Sequence, residues 1–505
     1  MIKKELIFVA LILVCFSVFA QQIPLGARLT GGKIHFQGGR FEKALQQFEL
    51  ALKENPQSSE ARFWKALTLE KLGKYIEASA NFDTAFTQSP EWLDKTKKDQ
   101  IYQYSSWNAF IKAGQKLDQE ANYGQAITFY KRSTEIDPQN PQGYLLLSGV
   151  YSGLDSFVEV RKMADALITI NPNNQQANIL LGMYFFQKVD WDSSLIYYNR
   201  AIIAFKQDWE GVKNSIGKEL KIDTAQATAV VVNLIEYRHA KKLETYVNDS
   251  LKAKSKFLTI AKLTEQLSLD EAELSLCNFR AGTSALQKVN SVSQDSTQQK
   301  YIKVAIDYFY QALRFNQLDY DSRYNLGMAY YRGGADAKAE STFQDLVKIS
   351  LIPLSTLSEK LFQSITELIT KENLKFGYLE ITGDLTKEID KEISEKKRFT
   401  TGYWYLYYWN YKQDSVLPEE YNKDNIYISG LTTDAVENLW LLLGATQISL
   451  KKFDDAIKSF NSVLALNPKN LDALRNLSVC YREKGDQKKS YEYYQQWDKF
   501  NKQQK

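Results

Sequence analysis

Proline is scarce: nine residues in 505, about 1.8% against roughly 5% in average proteins. Glycine, at 24, is also below average, and histidine occurs only twice. So few breakers, with Leu, Ala, Lys, Gln and Glu throughout, exclude a β-sandwich or a glycine-rich nucleotide-binding fold and predict a mostly helical chain. Three cysteines exclude a disulfide framework, and Cys480 lies in the apolar stretch LRNLSVCY as a small core residue. The net charge of +4 is spread over interleaved Lys and Glu, which excludes a nucleic-acid footprint. Apolar residues at 44% and charged residues at 25% fit a well-cored chain.

Long apolar runs are missing everywhere except the start. There Lys3 and Lys4 precede an apolar core from Leu6 to Phe19, and Val18 and Ala20 occupy the small-residue places before Gln21. This is the layout of a secretory signal cleaved after Ala20. Fourteen residues rise only about 21 Å as a helix, short of a ~30 Å hydrocarbon core, and Val14 before Cys15 argues against lipidation. The mature chain is therefore expected to be exported, periplasmic or envelope-associated, with no stable transmembrane span.

What the chain has in abundance is self-similarity. Phe41, Ala44, Phe48, Ala51 and Pro56 return 34 residues later as Tyr75, Ala78, Phe82, Ala85 and Pro90. The set recurs as Tyr123, Ala126, Tyr130, Ser133, Pro138 and as Phe453, Ala456, Phe460, Val463, Pro468. Small residues stand upstream at Gly114, Gly182, Gly327 and Gly444, and Ser58, Asn140, Asn174 and Asn470 are placed to cap a following helix. Alanine lets two helices approach, aromatic rings fill the gap beside them, and proline stops the second helix. One such unit is helix, turn, helix, and needs neighbours to complete its core.

This pattern resembles the tetratricopeptide repeat family. Eight repeats are assigned, at 25–58, 59–92, 107–140, 141–174, 175–208, 320–353, 437–470 and 471–504, and 298–319 reads as the second helix of a degenerate one. The resemblance implies an all-α solenoid of helical pairs with a less regular middle. Its expected parts are a signal (1–20), an N-terminal array (25–208) with an insertion at 93–106, a diverged helical region (209–297), further repeats (298–353), a helical and aromatic insert (354–436) and C-terminal repeats with a polar cap helix (437–505).

Catalytic constellations are lacking. His35 and His239 have no ligand partner at i+4, and there is no HExxH, paired CxxC, G-x-S-x-G or GxGxxG. The segment GVKNSIGKE has five residues between its glycines and Glu219 where a phosphate loop carries Ser or Thr. Neither an enzyme nor a metal or other cofactor is expected. The resemblance implies instead an interaction scaffold that binds a protein or peptide along a groove of first helices. Carried over, the groove places are Phe63, Leu67, Ile179, Met183, Phe186, Tyr324, Met328 and Tyr331. The carboxylate-gripping pattern of one subfamily is not kept, since Leu29, Lys33 and Trp64 stand at those places, and a more apolar groove is implied. The run GYWYLYYWNYK is aromatic on all sides if read as a helix, and so is expected to be buried. The alternative makes Trp404, Tyr408 and Trp409 an exposed platform, as in exported glycan-binding proteins built on similar helices.

Overall fold

The computed structural model describes residues 25–223, 226, 257–372, 377–395, 404–408 and 426–503. The signal-like start, Trp409 and His239 lie outside the described residues. The chain divides into two compact units after Leu180, and the fold is a tetratricopeptide-like helical repeat.

In the first unit, α1 (Leu25–Gln37) pairs with α2 (Phe41–Glu54) and α3 (Ser59–Lys71) with α4 (Tyr75–Gln88). Likewise α6 (Gln100–Gln119) pairs with α7 (Tyr123–Ile136) and α8 (Pro141–Gly153) with α9 (Phe157–Ile170). The insertion at 93–106 is absorbed by α5 (Pro90–Lys98) and by an N-terminal extension of α6. Pro90 therefore opens a helix as well as following one, a place where its missing N–H costs nothing. One continuous core runs from Leu29 to Val160.

The second unit begins within α10 (Gln175–Gln187), followed by α11 (Trp191–Leu220), α12 (Phe257–Asn290), α13 (Asp295–Phe315), α14 (Tyr320–Arg332) and α15 (Asp336–Ser350). Gly282 on α12 lies under Phe309 of α13, so the degenerate repeat is complete: its first helix is the C-terminal half of α12. Where α11 and α12 run together, Asp270 is buried, with Oδ1 accepting from Gln266 at 2.7 Å. Burial raises its carboxyl and pushes Glu271 beside it up to about 7. The thiols of Cys277 and Cys480 are buried, free and pushed up to about 12 and about 11.

Two local devices recur along the chain. Ser58, Asn140, Asn174 and Asn470 each accept a backbone N–H from the first turn of the following helix, at 3.2, 3.1, 2.9 and 2.8 Å. The turn inside each assigned repeat uses its fifteenth residue in a left-handed conformation: Gly39, Gly73, Ala121, Asp155, Val189, Gly334, Lys451 and Gly485. The next residue's N–H then reaches back to the carbonyl five residues earlier, as in Lys74 to Leu69 and Asp190 to Phe185, closing the C-terminus of the first helix.

The array departs from helix between α15 and α18 (Thr433–Ser449). Here β1 (Ile352–Pro353), α16 (Glu359–Lys371), β2 (Gly377–Ile381), α17 (Asp384–Glu395), β3 (Trp404–Tyr408) and β4 (Ile426–Ser429) form a small α/β module. Its antiparallel sheet has the order β1-β4-β3-β2. Ile365, Ile369, Ile389 and Ile393 of the two helices pack with Ile381, Trp404, Leu406 and Ile428 of the strands. The aromatic run is thus corrected from helix to strand over 404–408. Alternation supplies the reason: Trp404 and Leu406 enter the core, while Tyr405 packs with Leu351, Leu431 and Val436 in a separate cluster. Even so, α15 packs directly on α18 as consecutive repeats do, with Phe343 and Leu346 against Leu439 and Leu443. The chain ends with α19 (Phe453–Leu466), α20 (Leu471–Glu483) and α21 (Gln487–Gln503).

Candidate functional site

Places five, nine and twelve of each first helix were the expected contact positions. In the first unit the structure buries the three the sequence pointed to. Phe63 is fully buried, its ring 4.4 Å from Trp92, 5.5 Å from Phe82 and 5.1 Å from Tyr102. Leu67 and Ile179 are buried as well. These three are core residues, which corrects their assignment to a groove. For Phe63 the cause is the insertion: Trp92 on α5 and Tyr102 on the extended α6 pack where a ligand would lie. Several polar groups there are engaged with one another. Lys33 pairs with Glu60 at 2.6 Å and stands 5.3 Å over the Trp64 ring. Asn108 donates to Glu70 Oε1 at 2.7 Å, and Lys71 flanks the other oxygen at 2.9 Å.

In the second unit the other five expected positions remain half-buried. Met183 and Phe186 on α10 are partly covered, Phe186 meeting Trp191 edge-on at 4.9 Å. On α14, Tyr324 stacks on Tyr320 at 5.9 Å and meets Phe343 edge-on at 6.4 Å. Met328 touches the cores on both sides of α14, and Tyr331 packs on the one shared with α18. Burial raises the Tyr320 and Tyr324 hydroxyls, so both stay protonated. Phe279 on α12 and Leu441 and Ile448 on α18 hold matching places and are also half-buried. Sequence reasoning missed these three, although Gly282 and Gly444, each three residues beyond place five, mark the register.

Trp404 is 1% exposed, and its indole N–H donates to Asp390 at 2.8 Å. It cannot serve as a platform. The backbone of Tyr408 lies in register with Gly377 and Ile426. Among the described residues no group of three His, Cys, Asp or Glu is placed to hold a metal ion, and no helix is long and apolar enough to cross a membrane.

One tetratricopeptide repeat family model matches residues 29–91, 302–350 and 441–504, and a second model of the same repeat matches 108–140. The chain carries tetratricopeptide repeats. No enzyme family is indicated, and no curated protein matches the chain. Among solved structures, one likeness is to YrrB, described as a TPR protein with an unusual peptide-binding site: 14% identity over 38% of this chain and 91% of that one, TM-score 0.27. Another is to TTC0263, a thermophilic TPR protein of Thermus thermophilus, with 23% identity over 36% and 91%, TM-score 0.19. A third, the Naa15/Naa10 structure bound to HypK-THB, aligns with 94% of this chain and 63% of its own at 13% identity, TM-score 0.25.

Proposed function

We propose that the protein is a non-catalytic scaffold of the cell envelope that binds a protein or peptide along the first-helix face of the second unit. One observation carries this reading. Tyr324, Met328 and Tyr331 occupy places five, nine and twelve of a single repeat, and each keeps part of its surface free while its body is fixed in the core. Side chains held this way lose little rotamer freedom on binding, and tyrosine adds a polar edge to an apolar contact. The envelope location rests on the signal-like start from Lys3 to Ala20.

The test places a photo-crosslinking residue at Arg332, beside this face, in cells producing the full chain, and identifies the adduct. Met328→Ala with Tyr331→Ala should then reduce the adduct at least tenfold, while the exposed second-helix changes Glu42→Ala and Lys131→Ala leave it intact. Equal effects from both pairs, or unfolding as the sole effect of the first, would remove the face from consideration. Intact mass of the protein from fractionated cells checks cleavage after Ala20.

A further inference from the structure

In six of the seven repeats before the last, place twenty-four, on the second helix, is a deeply buried ring; the fourth repeat has the fully buried Ala164 there. Phe48, Phe82, Tyr130, Tyr198, Phe343 and Phe460 are all at most 2% exposed. Place twenty-seven, at Ala51, Ala85, Ser133, Ala201, Leu346 and Val463, is fully buried. The following repeat completes this burial: Leu439 and Leu443 of α18 join Phe343 and Leu346, and Ala473 and Leu477 of α20 join Phe460 and Val463.

The second helix of the last repeat keeps this register but not the burial. Tyr494 stands at place twenty-four and is 51% exposed, Tyr491 one turn earlier is 61% exposed, and Trp497 at place twenty-seven is half-buried. One side of α21 is docked on α20, with Ser490 against Ser478 at 3.2 Å and Tyr493 stacked on Tyr481 at 5.5 Å. Tyr491, Tyr494 and Trp497 form the other side, the latter two rings 5.5 Å apart. The expectation of a merely polar cap helix therefore misses an aromatic strip.

We propose that this strip is a docking surface for an amphipathic helix of a partner protein, one with small and leucine side chains at i and i+4 and acidic flanks. The apolar pattern follows from continuity, because first helices carrying Leu439/Leu443 and Ala473/Leu477 cover the equivalent surface inside the chain. The acidic flanks follow from charge. With Lys502 paired to Asp498 at 2.6 Å, helix α21 is left with Lys488, Lys489 and Lys499 against Glu492. Two copies set strip to strip would bring like charges together, whereas an acidic helix neutralises them.

The probe is a stapled, fluorescein-labelled peptide copying residues 471–483 with Arg475→Glu, Cys480→Ala and Arg482→Glu, titrated with the full chain and read by anisotropy. Saturable binding is expected. It should weaken at least tenfold in Tyr491→Ser/Tyr494→Ser, weaken several-fold when the peptide's Glu residues at 475 and 482 are replaced by Lys, and persist in Tyr331→Ala, which belongs to the other surface. Tyr494→Gln alone serves as the milder variant if the double change unfolds α21, with weakening by severalfold expected. Absence of saturable binding, or equal binding by the strip variants, overturns the proposal. So does a dimer of the full chain in sedimentation that Tyr494→Gln abolishes, since the strip would then belong to a second copy.

Discussion

Gly444 of α18 lies beneath the ring of Phe460 on α19, so close that a Cβ there would sit 2.7 Å from two ring carbons. The same contact recurs at a spacing of sixteen in Gly32–Phe48, Gly114–Tyr130, Gly182–Tyr198 and Gly327–Phe343. Gly444→Val should therefore cost about 1–3 kcal/mol through overpacking, although glycine is the poorer helix former. Gly149 in α8 has nothing within 4 Å of its Cβ position, and Gly149→Ala should be neutral or stabilise by up to about 1 kcal/mol. Urea unfolding of the two variants checks the contrast.

Val189 turns its repeat at φ +61°, a conformation that costs an L-residue roughly 1–2 kcal/mol and suits a β-branched one least. Its side chain is exposed, so little packing is lost on removing it. Val189→Gly should stabilise the second unit by about 1 kcal/mol. A lowered unfolding midpoint would show that the valine contributes more than its strain costs.

Glu271 gives the second unit a pH dependence of definite sign. Its carboxyl lies near 7 in the folded chain against an ordinary 4.5, chiefly because of burial. The folded state thus holds a proton that the unfolded chain releases. This contribution is complete below about pH 4.5 and disappears as the pH rises towards 7, and Asp270 acts in the same direction. The urea midpoint should fall between about pH 5 and pH 8, and Glu271→Gln should flatten most of that slope. A midpoint that rises over this range would contradict the burial of Glu271.

Trp404→Ala should cost about 3–5 kcal/mol, the range for removing a buried aromatic side chain, and should open the α/β module first. Hydrogen exchange at β3 and β4 should quicken by orders of magnitude while α3 and α4 keep their protection. A variant as stable as the parent would place this indole outside the core.

The repeats were legible because their signals are local. Cap residues, a 34-residue period and glycine–aromatic pairs sixteen apart all survive without knowledge of the rest of the chain. The repeat built on Gly282 and Phe309 was half hidden because its two marker residues are 27 apart, α12 running on to Asn290 before α13 begins at Asp295. The module was misread for a different reason. Tyrosine is both apolar and polar, so the alternation of Trp404 and Leu406 with Tyr405 does not appear as alternation in a binary pattern. Burial of the contact positions in the first unit was illegible too. Only the tertiary path of α5 brings Trp92 onto Phe63.

Strands β1 and β4 pair with each other, Ile352 opposite Ile428, immediately beside the ends of α15 and α18. The segment between these repeats thus leaves and returns at one point, fastened there like a cassette in its slot. Closing a loop of residues 351–432 without internal order would cost about 2–3 kcal/mol more than closing a four-residue turn. The module's own sheet and core offset that penalty, so a long insertion is accommodated without separating its neighbours. A short Gly/Ser linker in place of 354–429, with Leu351 and Leu431 kept against Val436, is therefore a modest edit of the array, and the same slot is a natural place to graft a different domain.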